Sequence, residues 1–326
     1  MWCRREDTPF KFPREEGHHR AFNVGTLLRQ IKKLLNSSMW IYLNGRFVEQ
    51  QDAVVSVFDH GFLYGDGVYE TLRAYRGRIF MLERHLSRLR RSGEMIGLEL
   101  PLSEKDWPSL LNEAMRRNGL TDAYLRITVS RGEGEIGLDP NLCARPTVVI
   151  VAKPFVPLSP HLFQEGVTLA IVRVRRNLPA ALSPQIKSLN FLNNILAKQE
   201  ALRAGAFDGL MLNAEGHLTE CTISNVVFVR NGRLFTPAVS CGILDGITRD
   251  VVLTLTRENG MTVEEGAYPP AFLLQAEECF LTNTTMEIMP VRQVDKSQIG
   301  IGRPGPLTLK LRELFQSNLP RFLTVP

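Results

Sequence analysis

Cysteine is scarce in this 326-residue chain and is not arranged in pairs. Cys3, Cys143, Cys221, Cys241 and Cys279 are scattered, odd in number and form no C-x-x-C. That pattern argues against a disulfide framework and fits reduced thiols in a cytoplasm. No run approaches the roughly 18 apolar residues of a membrane span. The N-terminus lacks the apolar core of a secretory signal. The six histidines (His18, His19, His60, His85, His161, His217) make no H-E-x-x-H or comparable metal spacing. There is no G-x-S-x-G nucleophile elbow, no internal repeat and no low-complexity tract. A basic stripe is missing too. The net charge is +5, but residues 1–38 hold eight Lys and Arg against four acids, so the remaining body is nearly neutral. Nothing there suits a nucleic acid.

What the chain does have is an ordinary globular composition, 44% apolar, enough for a large core without metal or disulfide. Residues 1–38 read as an N-terminal extension, or as sequence upstream of a start at Met39. Leu27, Leu28, Ile31, Leu34 and Leu35 recur at helical spacing, a basic amphipathic pattern able to lie on a membrane or dock a partner. From Met39 the pattern is dense. Asn44-Gly45, Arg76-Gly77-Arg78 and Asn231-Gly232 each sit between apolar runs and predict hairpins. Val54–Val57 predicts a further strand. Helices are predicted near 83–95, 103–119, 189–204, 248–259 and 307–316. The prolines of residues 153–160, KPFVPLSP, mark a boundary. The expected organisation is an extension over 1–38, a small α/β domain over 39–153, a linker over 154–163 and a large domain over 164–326. Hairpins mixed with helices argue for α+β rather than a doubly wound sheet.

Gly132-x-Gly134-x-x-Gly137 matches a dinucleotide fingerprint and follows a strand, but Leu138-Asp139-Pro140 opens no helix. Without a helix N-terminus for the pyrophosphate, it reads as a loop joining two strands. The informative stretch is SPQIKSLNFLNNILAKQEA, residues 183–201. Lys187 lies between a loop and a helix with apolar residues at Leu189, Leu192, Ile195 and Leu196. A lysine partly desolvated in such a place becomes nucleophilic enough for Schiff-base chemistry.

This segment closely resembles the lysine segment of the class IV aminotransferases, pyridoxal-phosphate enzymes that include branched-chain and D-amino-acid aminotransferases and aminodeoxychorismate lyase. Other motifs agree in order: Asp59-His60-Gly61-Phe62 with Tyr64 through Glu70, Arg88-Leu89 after His85, Leu218-Thr219-Glu220 through Asn225, Gly242 through Arg249, and Thr282 through Val291. The resemblance runs from about Trp40 to Phe315. It implies a two-domain α+β fold (fold type IV) with the active site between the domains, and a homodimer or higher homo-oligomer. It also implies roles. Lys187 would hold pyridoxal 5'-phosphate and move the substrate's α-proton. Glu220 would pair with the pyridine nitrogen. Arg88, the helix start at Ile247 and Thr248, and Thr284 would take the phosphate. Ile223 and Ser224 would line a ring face. Where branched-chain enzymes carry a tyrosine four residues after the lysine, this chain has Phe191, and Arg176 is the candidate to replace its contact with the phenolic oxygen.

Three features resemble the branched-chain type: Tyr124-Leu125-Arg126, the loop Gly134 through Pro140, and Gly300 through Pro306. They imply transamination of L-leucine, L-isoleucine and L-valine with 2-oxoglutarate. Phe62, Tyr64 and Tyr69 would form an apolar wall, Tyr124 and Arg126 would meet carboxylates, and Thr285 would add a substrate contact. The Arg-x-His carboxylate trap of D-amino-acid enzymes falls on Ile136 and Leu138. D-amino-acid or (R)-amine transamination and the lyase reaction remain alternatives. A nucleotide-binding oxidoreductase and a non-catalytic protein are the alternatives outside the family. No metal is expected.

Overall fold

The computed structural model describes residues 39–324; the N-terminal extension and its expected helix lie outside the described residues. The first half is a six-stranded sheet built from β1 (Trp40–Leu43), β2 (Arg46–Glu49), β3 (Gly67–Tyr75), β4 (Arg78–Ile79), β5 (Ala123–Ser130) and β6 (Thr147–Pro154). Its order is β2-β1-β6-β5-β3-β4, antiparallel throughout. Asn44 and Gly45, and Arg76 and Gly77, have positive φ at both centres of their turns. That is the turn whose twist matches a two-residue hairpin. Alternation then sorts the strands. Val68, Leu72, Leu125, Ile127 and Ile150 are buried against α2 (Leu82–Glu94) and α3 (Asp106–Arg117). The residues between them, Tyr69, Thr71, Tyr124 and Arg126, face the other way. Ahead of β3 lies the short α1 (His60–Tyr64).

The second half holds β7 (Val167–Ile171), β8 (Asp208–Leu212), β9 (Leu218–Cys221), β10 (Asn225–Arg230), β11 (Arg233–Pro237), β12 (Val263–Gly266), β13 (Glu278–Asn283), β14 (Glu287–Val294) and β15 (Ser297–Gln298). They form a mixed sheet ordered β12-β11-β10-β13-β14-β7-β8-β9. Asn225 of β10 also pairs with Glu220 of β9, closing six of these strands into a ring. The helices here are α4 (Pro160–Glu165), α5 (Leu192–Arg203), α6 (Ile247–Glu258), α7 (Pro270–Leu273) and α8 (Pro306–Asn318). Phe80 from the first sheet packs on Phe315 of α8, with ring centroids 5.7 Å apart.

Two expectations are corrected. Val54–Val57 forms no strand: it has no ladder partner, and Val54 and Val57 are 74% and 64% exposed. β-branched residues favour a strand only where a neighbour can pair with them. The helix after Lys187 begins at Leu192, not Leu189, because residues 187–189 pair with β3 instead. Its buried face is Asn194, Ala197 and Ala201, while Leu192, Ile195 and Leu196 are exposed. The glycine loop does join β5 to β6, and a Cβ on Gly132 would come within 1.9 Å of the Arg145 carbonyl.

Candidate active site

Lys187 is placed by its backbone. Its carbonyl accepts from Tyr69 N (2.9 Å), Leu189 N donates to Gly67 O (2.8 Å), and Lys187 N donates to Ser92 Oγ (3.1 Å). The lysine segment thus runs as an extra bridge along β3. Its side chain enters a cavity of about 350 Å³ lined from both sheets. Lys187 Nζ lies 3.5 Å from Tyr69 Oη and 4.5 Å from the Tyr69 ring centre. Phe191 meets that ring edge-on.

One end of the cavity is braced by buried charge. Arg88 donates Nε to Glu70 Oε1 (2.6 Å) and Nη2 to Glu70 Oε2 (3.0 Å), leaving Nη1 on the Asp245 carbonyl (2.8 Å). His85 Nδ1 lies 2.8 Å from Glu70 Oε2. Burial pushes the Glu70 carboxyl up, but the Arg88 guanidinium and His85 outweigh it and hold that carboxyl well below its ordinary range. Burial also lowers His85. Asp245 leads into α6, whose N-cap is Gly246 with no side-chain cap. Only glycine fits there, since a Cβ would lie 1.9 Å from Asn225 Oδ1. Three buried hydroxyls around this end, Ser224 Oγ, Thr248 Oγ1 and Thr282 Oγ1, have no hydrogen-bond partner. Buried polar atoms are rarely left unpaired. Unused hydroxyls, an arginine and an uncapped helix N-terminus together suit a phosphate dianion.

Glu220 is also buried in the cavity lining. Its Oε1 accepts from Arg176 Nε (3.0 Å) and Nη2 (2.9 Å), and its Oε2 from Asn225 Nδ2 (3.0 Å) and Leu244 N (3.1 Å). Burial raises the Glu220 carboxyl against the pull of Arg176 and Leu244 N–H. Arg176 is therefore engaged by Glu220, and only its Nη1 remains, 3.5 Å from Asn194 Oδ1. The structure thus leaves it little freedom to stand in for a tyrosine hydroxyl.

The other end is more open. Tyr124 Oη is 3.5 Å from Thr71 Oγ1. Arg126 stacks 4.0 Å over Tyr69 and donates Nε to Thr128 Oγ1 (3.2 Å). Among the described residues no acid forms an ion pair with it. Ile223 is 56% exposed at the lip. Thr284 and Thr285 complete the rim, the latter donating N (3.0 Å) and Oγ1 (3.1 Å) to Asn283 Oδ1.

Of the residues singled out in sequence, Lys187, Arg88, Glu220, Ile223, Ser224, Ile247, Thr248, Thr284, Arg176, Tyr69, Tyr124, Arg126 and Thr285 converge on this cavity. Phe62 and Tyr64 do not. They sit on α1, where Phe62 is 72% exposed and Tyr64 Oη accepts from Gly137 N (3.2 Å). Sequence reasoning missed the Glu70–His85 brace, Asn225 and Ser92. Alternation alone could have found Glu70, because it must face away from Tyr69 and Thr71 and toward the helix carrying Arg88.

The family model for amino-transferase class IV matches residues 67–294. A provisionally named branched-chain-amino-acid aminotransferase of Methanocaldococcus jannaschii is 44% identical over 85% of this chain and 96% of its own length. Aminodeoxychorismate lyase of Bacillus subtilis is 36% identical over 87% of the chain and 96% of its own. D-alanine aminotransferase of Bacillus licheniformis is 37% identical over 86% and 97%. Among solved structures, the T.th. branched-chain amino acid aminotransferase with pyridoxamine 5'-phosphate superposes with a TM-score of 0.85 at 30% identity, covering 88% of this chain and 98% of that one. These findings bear out the expected α+β fold of type IV and its cofactor.

Proposed function

Because the chain belongs to the class IV aminotransferases, a transaminase family that works with pyridoxal phosphate, we propose that it exchanges amino groups between branched-chain L-amino acids and 2-oxoglutarate. The observation that carries this reading is Arg126, an arginine without an acid partner among the described residues, set at the edge of an otherwise aromatic and aliphatic wall of Tyr69, Phe191, Leu189 and Ile223. Such a wall accepts a branched side chain. One cation at its edge accepts the distal carboxylate of glutamate or 2-oxoglutarate.

When bound, the cofactor supplies an electron sink for the substrate's α-carbon. The chain's own residues supply the rest. Arg88, the N–H groups of Ile247 and Thr248, the unpartnered hydroxyls of Ser224, Thr248 and Thr282, and Thr284 would hold the phosphate. Glu220 would pair with the ring nitrogen, its carboxylate kept in place by Arg176 and Asn225. Ile223 and Ser224 would cover one ring face. Lys187 Nζ would be the attachment point and the atom that moves the α-proton, with Tyr69 Oη 3.5 Å away to orient it. Tyr124 and Thr285 bind the α-carboxylate.

We read the two sheets as two domains, 39–153 and 164–326, with the cavity between them. We also propose a homodimer. Val54, Val57, Phe58 and Phe62, all within nine residues of sequence, are each exposed, and a group of exposed large apolar side chains suits an interface. Phe62 and Tyr64 face away from their own cavity, so any role for them in the substrate wall requires a second copy. Among the described residues no helix is long and apolar enough to cross a membrane.

The test is a donor screen with 2-oxoglutarate. L-leucine, L-isoleucine and L-valine should react best. Preference for D-alanine would favour the D-amino-acid reading, although Ile136 and Leu138 offer no carboxylate trap. Release of pyruvate and p-aminobenzoate from aminodeoxychorismate would favour the lyase.

A further inference from the structure

Glu287 opens β14 with φ of +59°, a left-handed backbone that glycine adopts without strain and glutamate rarely does. Only Met286 separates it from the turn carrying Thr284 and Thr285. Its side chain crosses to the other sheet. Oε1 accepts from Arg73 Nη1 (2.6 Å) and Tyr75 Oη (2.8 Å), both on β3, and Oε2 accepts from Gln316 of α8. Arg73 is in turn held between two rings, 4.0 Å from Tyr75 and 3.8 Å from Phe155, the residue just after β6. Both ion-pair partners are mostly buried, at 15% and 16% side-chain exposure.

The two anchored strands also lead into the cavity: β3 lines it with Tyr69 and Thr71, and β14 follows the turn that lines it with Thr284 and Thr285. Arg73 lies two residues beyond Thr71 and four beyond Tyr69. Glu287 lies two beyond Thr285. The positive φ belongs to the short hairpin turn that Asn283 and Glu287 close, and the Glu287 side chain ties that turn to Arg73 and Tyr75 of the other sheet. We propose that Glu287, with Arg73 and Tyr75, is a positioning clamp that fixes the Thr284–Thr285 turn against the Tyr69–Tyr124 wall, so setting the width of the cavity for the reaction. The clamp holds whichever amino acid the cavity takes, so it stands apart from the branched-chain reading.

Two variants separate positioning from stability. Glu287→Gln keeps the shape and removes the charge. Glu287→Gly removes the side chain but relieves the backbone strain, which guards against a variant that merely fails to fold. Each holoenzyme is assayed well below its melting temperature with the best donor of the wild-type screen, alongside its cofactor Kd and Tm. Both variants should lose tenfold or more in kcat/KM with cofactor Kd close to wild type and the protein fully folded at the assay temperature, although Tm falls because Arg73 is left as a mostly buried charge without its carboxylate. The loss should be non-additive with Arg73→Met, and Tyr75→Phe should show a smaller loss. Wild-type kcat/KM in either Glu287 variant would overturn the clamp. So would losses that simply track cofactor release or unfolding, or that add independently to Arg73→Met.

Discussion

The two ends of the cavity are built on different principles. At the proposed phosphate end, Arg88 is fixed by a bidentate carboxylate that a histidine also contacts, beside a helix start where only glycine fits. At the proposed substrate end, Arg126 and Tyr124 are half-buried on one sheet face and make long or single polar contacts. A braced end is pre-organised for one unchanging ligand, whereas a loosely braced end can be re-specified by one or two side chains. This explains why the chain is more than 30% identical to relatives named for three different reactions.

The largest expected effect sits between the two ends. Lys187→Ala should abolish turnover, because among the described residues Lys187 is the one lysine that lines the cavity; measurable turnover at a percent of wild type would break the division of roles. At the braced end, Arg88→Ala should raise the cofactor Kd strongly. It should also destabilise the fold by about 3–5 kcal/mol, since Glu70 would be left as a buried, uncompensated charge. Glu70→Gln should act the same way through its loss of Arg88. Unchanged cofactor affinity in both would move the phosphate elsewhere. The pH dependence has a definite sign. The Glu70 carboxyl is held below its ordinary 4.5, so its stabilisation is complete above that pH and is lost as pH falls from there. The stability gap between wild type and Glu70→Gln should be constant near neutrality and shrink on acidification below 4.5.

Glu220→Gln should keep its cofactor and lose rate. Removing a charge-assisted hydrogen bond worth ~1.5–3 kcal/mol corresponds to roughly 10- to 150-fold in kcat. The smallest and most selective effect belongs to the open end. Arg126→Ala should impair 2-oxoglutarate and glutamate far more than leucine, with no change in cofactor Kd. Equal losses for both substrate classes would make Arg126 a structural residue of the sheet.

Legibility in sequence followed the same divide between local and distant contacts. Asn44-Gly45, Arg76-Gly77 and Asn231-Gly232 announced hairpins because the turn chemistry is local, and all three have the positive φ expected. The lysine segment and its companions were legible as ordered motifs. Val54–Val57 misled because a strand needs a partner that no local pattern shows. The helix after Lys187 was placed too early because pairing with β3, more than a hundred residues upstream, overrides its helical spacing. The Glu70–Arg88 brace spans 18 residues and could have been read from alternation. The Arg73–Glu287 contact spans 214 and could not. Arg176 lines the cavity, and its pairing with Glu220, 44 residues away, had no local signal.

The most direct test of the account is reduction of the purified holoenzyme with borohydride followed by peptide mapping. The account predicts the pyridoxyl group on Lys187, within the peptide that runs along β3. Label on another lysine, or no retained cofactor at all, would contradict it.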